Sequence, residues 1–267
     1  MAIKDKRFST LGSLGNDGSN FSLTATGSPY VMELTEDPLR IYPTVGRFRL
    51  EPGATRVELS GHVDRDPTFE TAHWLWWSVY VPKNWTQCDD QLTILQVHEE
   101  PDTSPADVVG GPQIHAYIRG DRVKIESNYC TTSQTGSLSA IVSRTIANWP
   151  LSDCLGRWTD VVMNAKWSYS GTGYLKFWRN RRRIFDDASG NNAFNNAVAR
   201  GGNEQPFHKL GLYGISGAAS VANEVLHAGV IRGDNSYATF DAFMTACGFS
   251  DRTELEPVFG GRFSVGA

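Results

Sequence analysis

Apolar and polar residues alternate along most of this chain in short runs separated by turn-forming residues. Arg47-Phe48-Arg49-Leu50-Glu51 alternates, Pro52-Gly53 turns the chain, and Arg56-Val57-Glu58-Leu59-Ser60 alternates again. A period of two places successive side chains on opposite faces of a strand. Residues 72–81 form a tryptophan-rich run closed by Pro82, and residues 91–98 predict a further strand. Gln113-Ile114-His115-Ala116-Tyr117-Ile118, the turn Gly120-Asp121 and the run 123–129 predict a tight hairpin. Residues 158–169, 174–178, 183–185, 208–215 and 224–231 read the same way. Only residues 191–199 and 240–247 predict helical turns, both short. So many short strands with so little helix predict an all-β sandwich of the jelly-roll kind. The Gly/Ser/Thr/Asn-rich stretch 9–28 runs over the surface or begins an edge strand. Residues 1–40 thus read as an N-terminal extension or edge segment, and 41–267 as a single domain.

Composition narrows the picture. With 267 residues, 40% hydrophobic and 20% charged, the chain is neither disordered nor fibrous, and a core can form without staples. A net charge of −4 argues against a nucleic-acid partner. No stretch reaches the ~20 apolar residues of a membrane span, so no membrane partner is expected. The charged start has no apolar run behind it, so no signal peptide is read. Cys88, Cys130, Cys154 and Cys247 are widely spaced and form no CxxC pair, which argues against zinc. One or two disulfides, or free buried thiols, remain open.

Candidate chemistry lies on the strand faces opposite the core. Val57 and Leu59 face the core, leaving Arg56 and Glu58 opposite; Leu95 and Val97 leave Gln96 and His98. Ile114, Ala116 and Ile118 leave Gln113, His115, Tyr117 and Arg119 together, and Leu210 and Leu212 leave Lys209, Gly211 and Tyr213. On one sheet these groups form a concave surface with donors for a carboxylate, imidazoles and a phenol. An arginine fork suits anionic oxygens. Most tryptophans belong to the core, although Trp76, Trp77 and Trp167 are candidates for stacking on sugar rings. The run Arg179-Asn180-Arg181-Arg182-Arg183 reads as a basic hairpin tip or a grip on a polyanion.

Three of these segments, in order, carry a resemblance. Arg56-Val57-Glu58-Leu59, Gln96-Val97-His98 and Lys209-Leu210-Gly211-Leu212-Tyr213 resemble the R-x-E-L, Q-x-H and K-x-G-x-Y motifs of jelly-roll polysaccharide lyases. That group includes glucuronan lyases, heparin lyase I type enzymes and many alginate lyases, and the glucuronan-lyase-like branch is the most similar. The resemblance implies a concanavalin A-like jelly roll whose concave sheet binds an anionic, uronate-containing polysaccharide and cleaves it by β-elimination, leaving 4,5-unsaturated ends. It assigns catalysis to Tyr213, His98, Gln96 and Arg56. Gln96 and Arg56 would neutralise the substrate carboxylate. His98 would be base or neutraliser according to the C5 epimer, and Tyr213 would protonate the leaving oxygen and, for one epimer, also take the C5 proton. Lys209 would assist Tyr213 or bind substrate, and His115, Gln113, Tyr117 and Glu58 complete the substrate-binding set. Gln113 and His115 repeat the Q-x-H spacing, so His115 is a second candidate base. Phe207-His208 stands where alginate lyases tend to carry Tyr-Phe, which counts against alginate.

No cofactor is required for such chemistry and no metal ligand set is expected; a structural calcium is compatible with the resemblance, but no dense acidic loop compels one. A monomer acting outside the cell, secreted or virion-associated, is expected. The competing readings are a non-catalytic lectin-like carbohydrate-binding module on the same fold and a glycoside hydrolase. The latter needs two flanking carboxylates, for which no strand motif stands out.

Overall fold

The alternating segments become strands because one face of each finds an apolar partner. The structure, a computed structural model, describes residues 4–7, 22–26, 29–60, 71–98, 112–130, 141–168, 171–190 and 207–249. Its strands are β1 (Lys4–Arg7), β2 (Ser22–Thr26), β3 (Tyr30–Thr35), β4 (Val45–Leu50), β5 (Arg56–Ser60), β6 (Ala72–Val81), β7 (Leu92–His98), β8 (Ile114–Arg119), β9 (Arg122–Cys130), β10 (Ile141–Pro150), β11 (Arg157–Lys166), β12 (Gly173–Arg179), β13 (Arg182–Gly190), β14 (Phe207–Gly214) and β15 (Asn223–Gly233), followed by one helix, α1 (Phe240–Ala246). They form two sheets, ordered β13-β12-β11-β6-β15-β4-β3 with β1 beside β15, and β10-β9-β8-β7-β14-β5-β2. The paired strands are antiparallel, and the fold is the expected jelly-roll sandwich.

The core lies between the sheets. Val57, Leu59, Leu95, Val97, Ile114, Ala116, Leu210 and Leu212 of the seven-stranded sheet meet Phe48, Leu75, Trp77, Met163, Phe177 and Val225 of the other. The eight-stranded sheet is also covered on its outer side. There Trp74, Trp76, Trp158, Leu226 and Ile231 pack with Phe243 and Met244 of α1. Thr239 caps that helix by accepting the Ala242 N–H at 3.2 Å. The buried Asp37 carboxylate gathers the preceding loop, accepting from the N–H groups of Leu39, Ile41 and Tyr42 and from Trp158 Nε1 at 2.8–3.0 Å. Burial on both faces explains why β6 reads as a nearly continuous apolar run. The sugar-stacking role considered for Trp76, Trp77 and Trp167 is therefore corrected: all three are fully buried and offer no ring face to a ligand.

Other differences have local causes. Strand β10 escapes the alternation pattern because a bulge between Thr145 and Ala147 breaks its period, and it is an edge strand that leaves Val142 exposed. The basic run is a hairpin tip of the eight-stranded sheet, with Asn180 and Arg181 at φ 45° and 67°. Its charges are engaged locally, Arg181 donating to the Phe249 carbonyl and Arg183 pairing with Asp186. Cys88 and Cys154 are free thiols. The helical turn expected at 191–199 lies outside the described residues; the one at 240–247 is α1.

Candidate active site

The outer face of the seven-stranded sheet gathers the predicted residues by register. Arg56 pairs with Tyr213, Glu58 with Gly211 and Ser60 with Lys209 across β5 and β14. Lys209 then opposes Gln96, and Phe207 opposes His98, on β7. Gln96 opposes His115, and His115 opposes Glu126, continuing across β8 and β9. A parallel row runs Arg56, Tyr213, Thr93, Tyr117, Lys124. Bulges on both sides of β7 let Thr93 and Gln96, three residues apart, share this face.

Arg56, Glu58, Gln96, Lys209 and Tyr213 form one patch. The Arg56 guanidinium lies 3.8 Å from the centroid of the Tyr213 ring, a cation–π contact. Its Nε is 3.3 Å from Glu58 Oε2, and Gln96 Nε2 donates to Glu58 Oε1 at 2.6 Å. Among the described residues, the Tyr213 hydroxyl has no hydrogen-bond partner, and the ring is only part-buried, leaving the hydroxyl free for a ligand. Burial drives the Glu58 carboxyl above its usual range, opposed by the Gln96 hydrogen bond and by the charges of Arg56 and Lys209. Burial likewise pulls Lys209 down, with Glu58 opposing. Glu58 was expected to bind substrate, but its side chain is completely buried.

Gly211 makes this packing possible. Its φ is +147°, and a Cβ there would come 2.2 Å from the Val57 carbonyl oxygen and 2.7 Å from Glu58 Cα. Only glycine lets β14 approach β5 this closely.

A second cluster adjoins the first. His115 Nε2 lies 3.0 Å from Glu126 Oε2, and the Tyr117 hydroxyl donates to Glu126 Oε1 at 2.8 Å. His115 Nδ1 is buried without a partner among the described residues, so neither ring nitrogen is presented to a ligand. Burial lowers the His115 pKa against the pull of Glu126, and burial and then the Glu126 hydrogen bond raise that of Tyr117. His98 stands apart at the end of β7, half-buried, its ring 5.8 Å from that of Phe207. Gln113 precedes β8 and is fully buried, its carbonyl accepting from the Asn128 N–H at 2.8 Å. Arg119 is exposed and donates to the Asp89 carbonyl.

Glu126 and Thr93 are the residues that reading the sequence missed. Glu126 was within reach: pairing outward from the two-residue turn at Gly120-Asp121 sets it opposite His115. Thr93 was not, because a bulge leaves no mark in a period-two pattern.

One sheet is covered on its outer side and the other is polar and donor-rich there, which is a jelly-roll sandwich with one face open to a ligand. The family model described as polysaccharide lyase matches residues 19–227, and the chain belongs to that family: it is a polysaccharide lyase. None of the curated proteins compared with it matches significantly. Among solved structures, the chain is similar to the endo-β-1,4-glucuronan lyase of the fungus Trichoderma reesei, at 15% identity and TM-score 0.65 over 87% of this chain and 97% of that one. It is similar to an alginate lyase of polysaccharide lyase family 7, at 11% identity and TM-score 0.53 over 81% and 95%. The binding domain of botulinum neurotoxin serotype G shares the fold at 12% identity and TM-score 0.51, over 88% of this chain and 47% of that one.

Proposed function

We propose that this lyase cleaves a uronate-containing polysaccharide, glucuronan-like before other polyuronates, by β-elimination. The observation that carries the reading is the patch of Arg56, Gln96 and Lys209 around an uncommitted Tyr213 hydroxyl. A uronate C5–H is only weakly acidic, so the adjoining carboxylate must be neutralised before the proton can leave. Arg56 and the Gln96 amide supply donors for it, and Lys209 adds charge. The C5 proton passes to a base, its electron pair forms the C4=C5 bond as the C4–O bond breaks, and the leaving oxygen takes a proton from Tyr213. The Arg56 guanidinium stacked on the ring holds the phenol in place.

Geometry sorts the candidate bases. His115 Nε2 is held by Glu126, and its Nδ1 is buried without a partner among the described residues, so neither ring nitrogen is open to the C5 proton. His98 lies five residues along β7 from Thr93, the partner of Tyr213, or about 15 Å at the strand rise. At that separation one sugar cannot meet both groups, so Tyr213 both takes the C5 proton and protonates the leaving oxygen. This fits the epimer whose C5–H lies on its side of the ring, and His98 is left to bind a neighbouring sugar. These protein groups suffice to write the elimination without a cofactor. Action outside the cell, where such polymers occur, and on a monomer's single sheet completes the reading.

The test is ultraviolet absorbance over time on glucuronan, alginate, polymannuronate, heparin and hyaluronan. Elimination creates a conjugated, absorbing uronate, and hydrolysis does not. A rise on one polymer supports the reading and identifies the substrate. Flat traces together with retained binding would overturn it in favour of a lectin-like module.

A further inference from the structure

We propose that Glu58 is a positioning residue that locks the Gln96 amide in the orientation needed to neutralise the substrate carboxylate. The inference rests on the reading of this patch as an elimination site. Glu58 cannot touch a polymer, because its side chain has no exposure. Yet, among the described residues, its polar partners are site groups. Oε1 takes the Gln96 Nε2–H at 2.6 Å, and Oε2 lies 3.3 Å from Arg56 Nε. Across the strand it faces Gly211, which has no side chain to compete for these contacts. An ionisable group buried here is costly unless its partners need it.

The chemistry of the amide gives the contact its meaning. A glutamine side chain carries two N–H donors on one end and only acceptors on the other. Turned by 180°, Gln96 would set its oxygen against the Glu58 oxygen, acceptor on acceptor. When ionised, Glu58 thus admits one orientation, in which one N–H is held by Glu58 and the second remains to be given to a substrate oxygen. Without Glu58 the amide can present its oxygen, which repels a uronate carboxylate.

Two measurements test this together. The first is the side-chain amide resonance of Gln96, followed by heteronuclear NMR in the protein without substrate. One proton is expected downfield of the ordinary range in the wild type, returning to it in Glu58→Leu and partly in Glu58→Gln. Unchanged resonances in both variants would overturn the lock whether or not the protein is a polyuronate lyase. The second is steady-state elimination. Glu58→Leu is expected to lower kcat roughly 100-fold with KM within about threefold. Glu58→Gln, whose oxygen can still accept, recovers roughly tenfold of that loss. In a Gln96→Ala background Glu58→Leu costs no more than about threefold. Equal losses with and without Gln96, or a rise in KM at constant kcat, would overturn the proposal. Should Glu58→Leu fail to fold, the resonances of wild type and Glu58→Gln decide. A wild type inactive on every polymer would refute the elimination reading and leave the resonance test standing.

Discussion

His227 makes the stability of this protein depend steeply on mild acid. It sits on β15 in the core between the sheets, fully buried, with the Phe48 ring edge-on at 5.4 Å. Its Nε2 faces the Gly211 carbonyl at 3.4 Å, and its Nδ1 has no partner among the described residues. Among the described residues no carboxylate offsets the cost of charging it, and burial lowers its pKa from 6.5 to about 4, the Gly211 carbonyl opposing only in part. Between those values the unfolded chain binds a proton that the folded chain refuses, so stability rises with pH. The contribution is complete above about pH 6.5 and is lost as pH falls to about 4. At about 1.4 kcal/mol per pH unit over that interval, the loss is about 3 kcal/mol. That is a large share of the ~5–15 kcal/mol that holds an ordinary domain together. The assay is urea unfolding followed by tryptophan fluorescence at several pH values, wild type against His227→Asn. The variant carries a constant penalty for altered packing but lacks this titration. Its stability relative to wild type should therefore improve by about 3 kcal/mol from pH 7 to pH 4. Parallel curves would refute the reasoning and place the acid sensitivity elsewhere.

Removing only the phenol oxygen in Tyr213→Phe is expected to lower kcat by about a thousandfold, with KM within a few-fold and an unchanged melting temperature; initial rates by absorbance and a thermal scan check this. Gly211→Ala forces a Cβ into the Val57 carbonyl and onto a positive φ, so a loss of at least about 2 kcal/mol in urea unfolding is expected, and activity should fall with it. Tyr117→Phe should keep the rate within about threefold, because that hydroxyl is already given to Glu126; a loss matching that of Tyr213→Phe would move the proton carrier to β8.

Much of this site was legible in the sequence, for a definite reason. Strands whose outer face is open to solvent must alternate, and β5, β7, β8 and β14 do, so Arg56, Gln96, His115, Lys209 and Tyr213 could be set on one face before any coordinates. Alternation gives a direction and not an exposure. It turns Glu58 outward correctly, yet cannot tell that Gln96 and Arg56 close over it. It also makes two of the three β6 tryptophans, Trp74 and Trp76, look available, because the Phe243 and Phe249 rings that cover them lie far along the chain. The order of strands, which brings β14 between β5 and β7, is a long-range fact with no local signature. The three motifs anticipated it only through resemblance.

The two sheets divide the labour between stability and chemistry. The eight-stranded sheet buries an apolar cluster on each side, whereas the seven-stranded sheet keeps a polar outer face into which it sinks a carboxylate and an amine. Burial pushes Glu58 up and Lys209 down, each toward its uncharged form, so folding works against the charges that the site holds. For Glu58 the direction of the consequence is fixed. With its pKa raised in the folded state, the native chain keeps the proton at pH values where the unfolded chain has released it, and stability falls as pH rises past the ordinary carboxylate range near 4.3. Glu58→Gln removes that titration while preserving shape. The variant should therefore gain stability over wild type as pH increases from 4 to 8, in the same range where its catalytic rate falls below wild type. Urea midpoints at pH 4, 6 and 8 measure the first effect. A wild type that is the more stable protein at pH 8 would show that the attraction of Arg56 and Lys209 outweighs burial, and that the carboxylate stabilises the fold it was expected to burden.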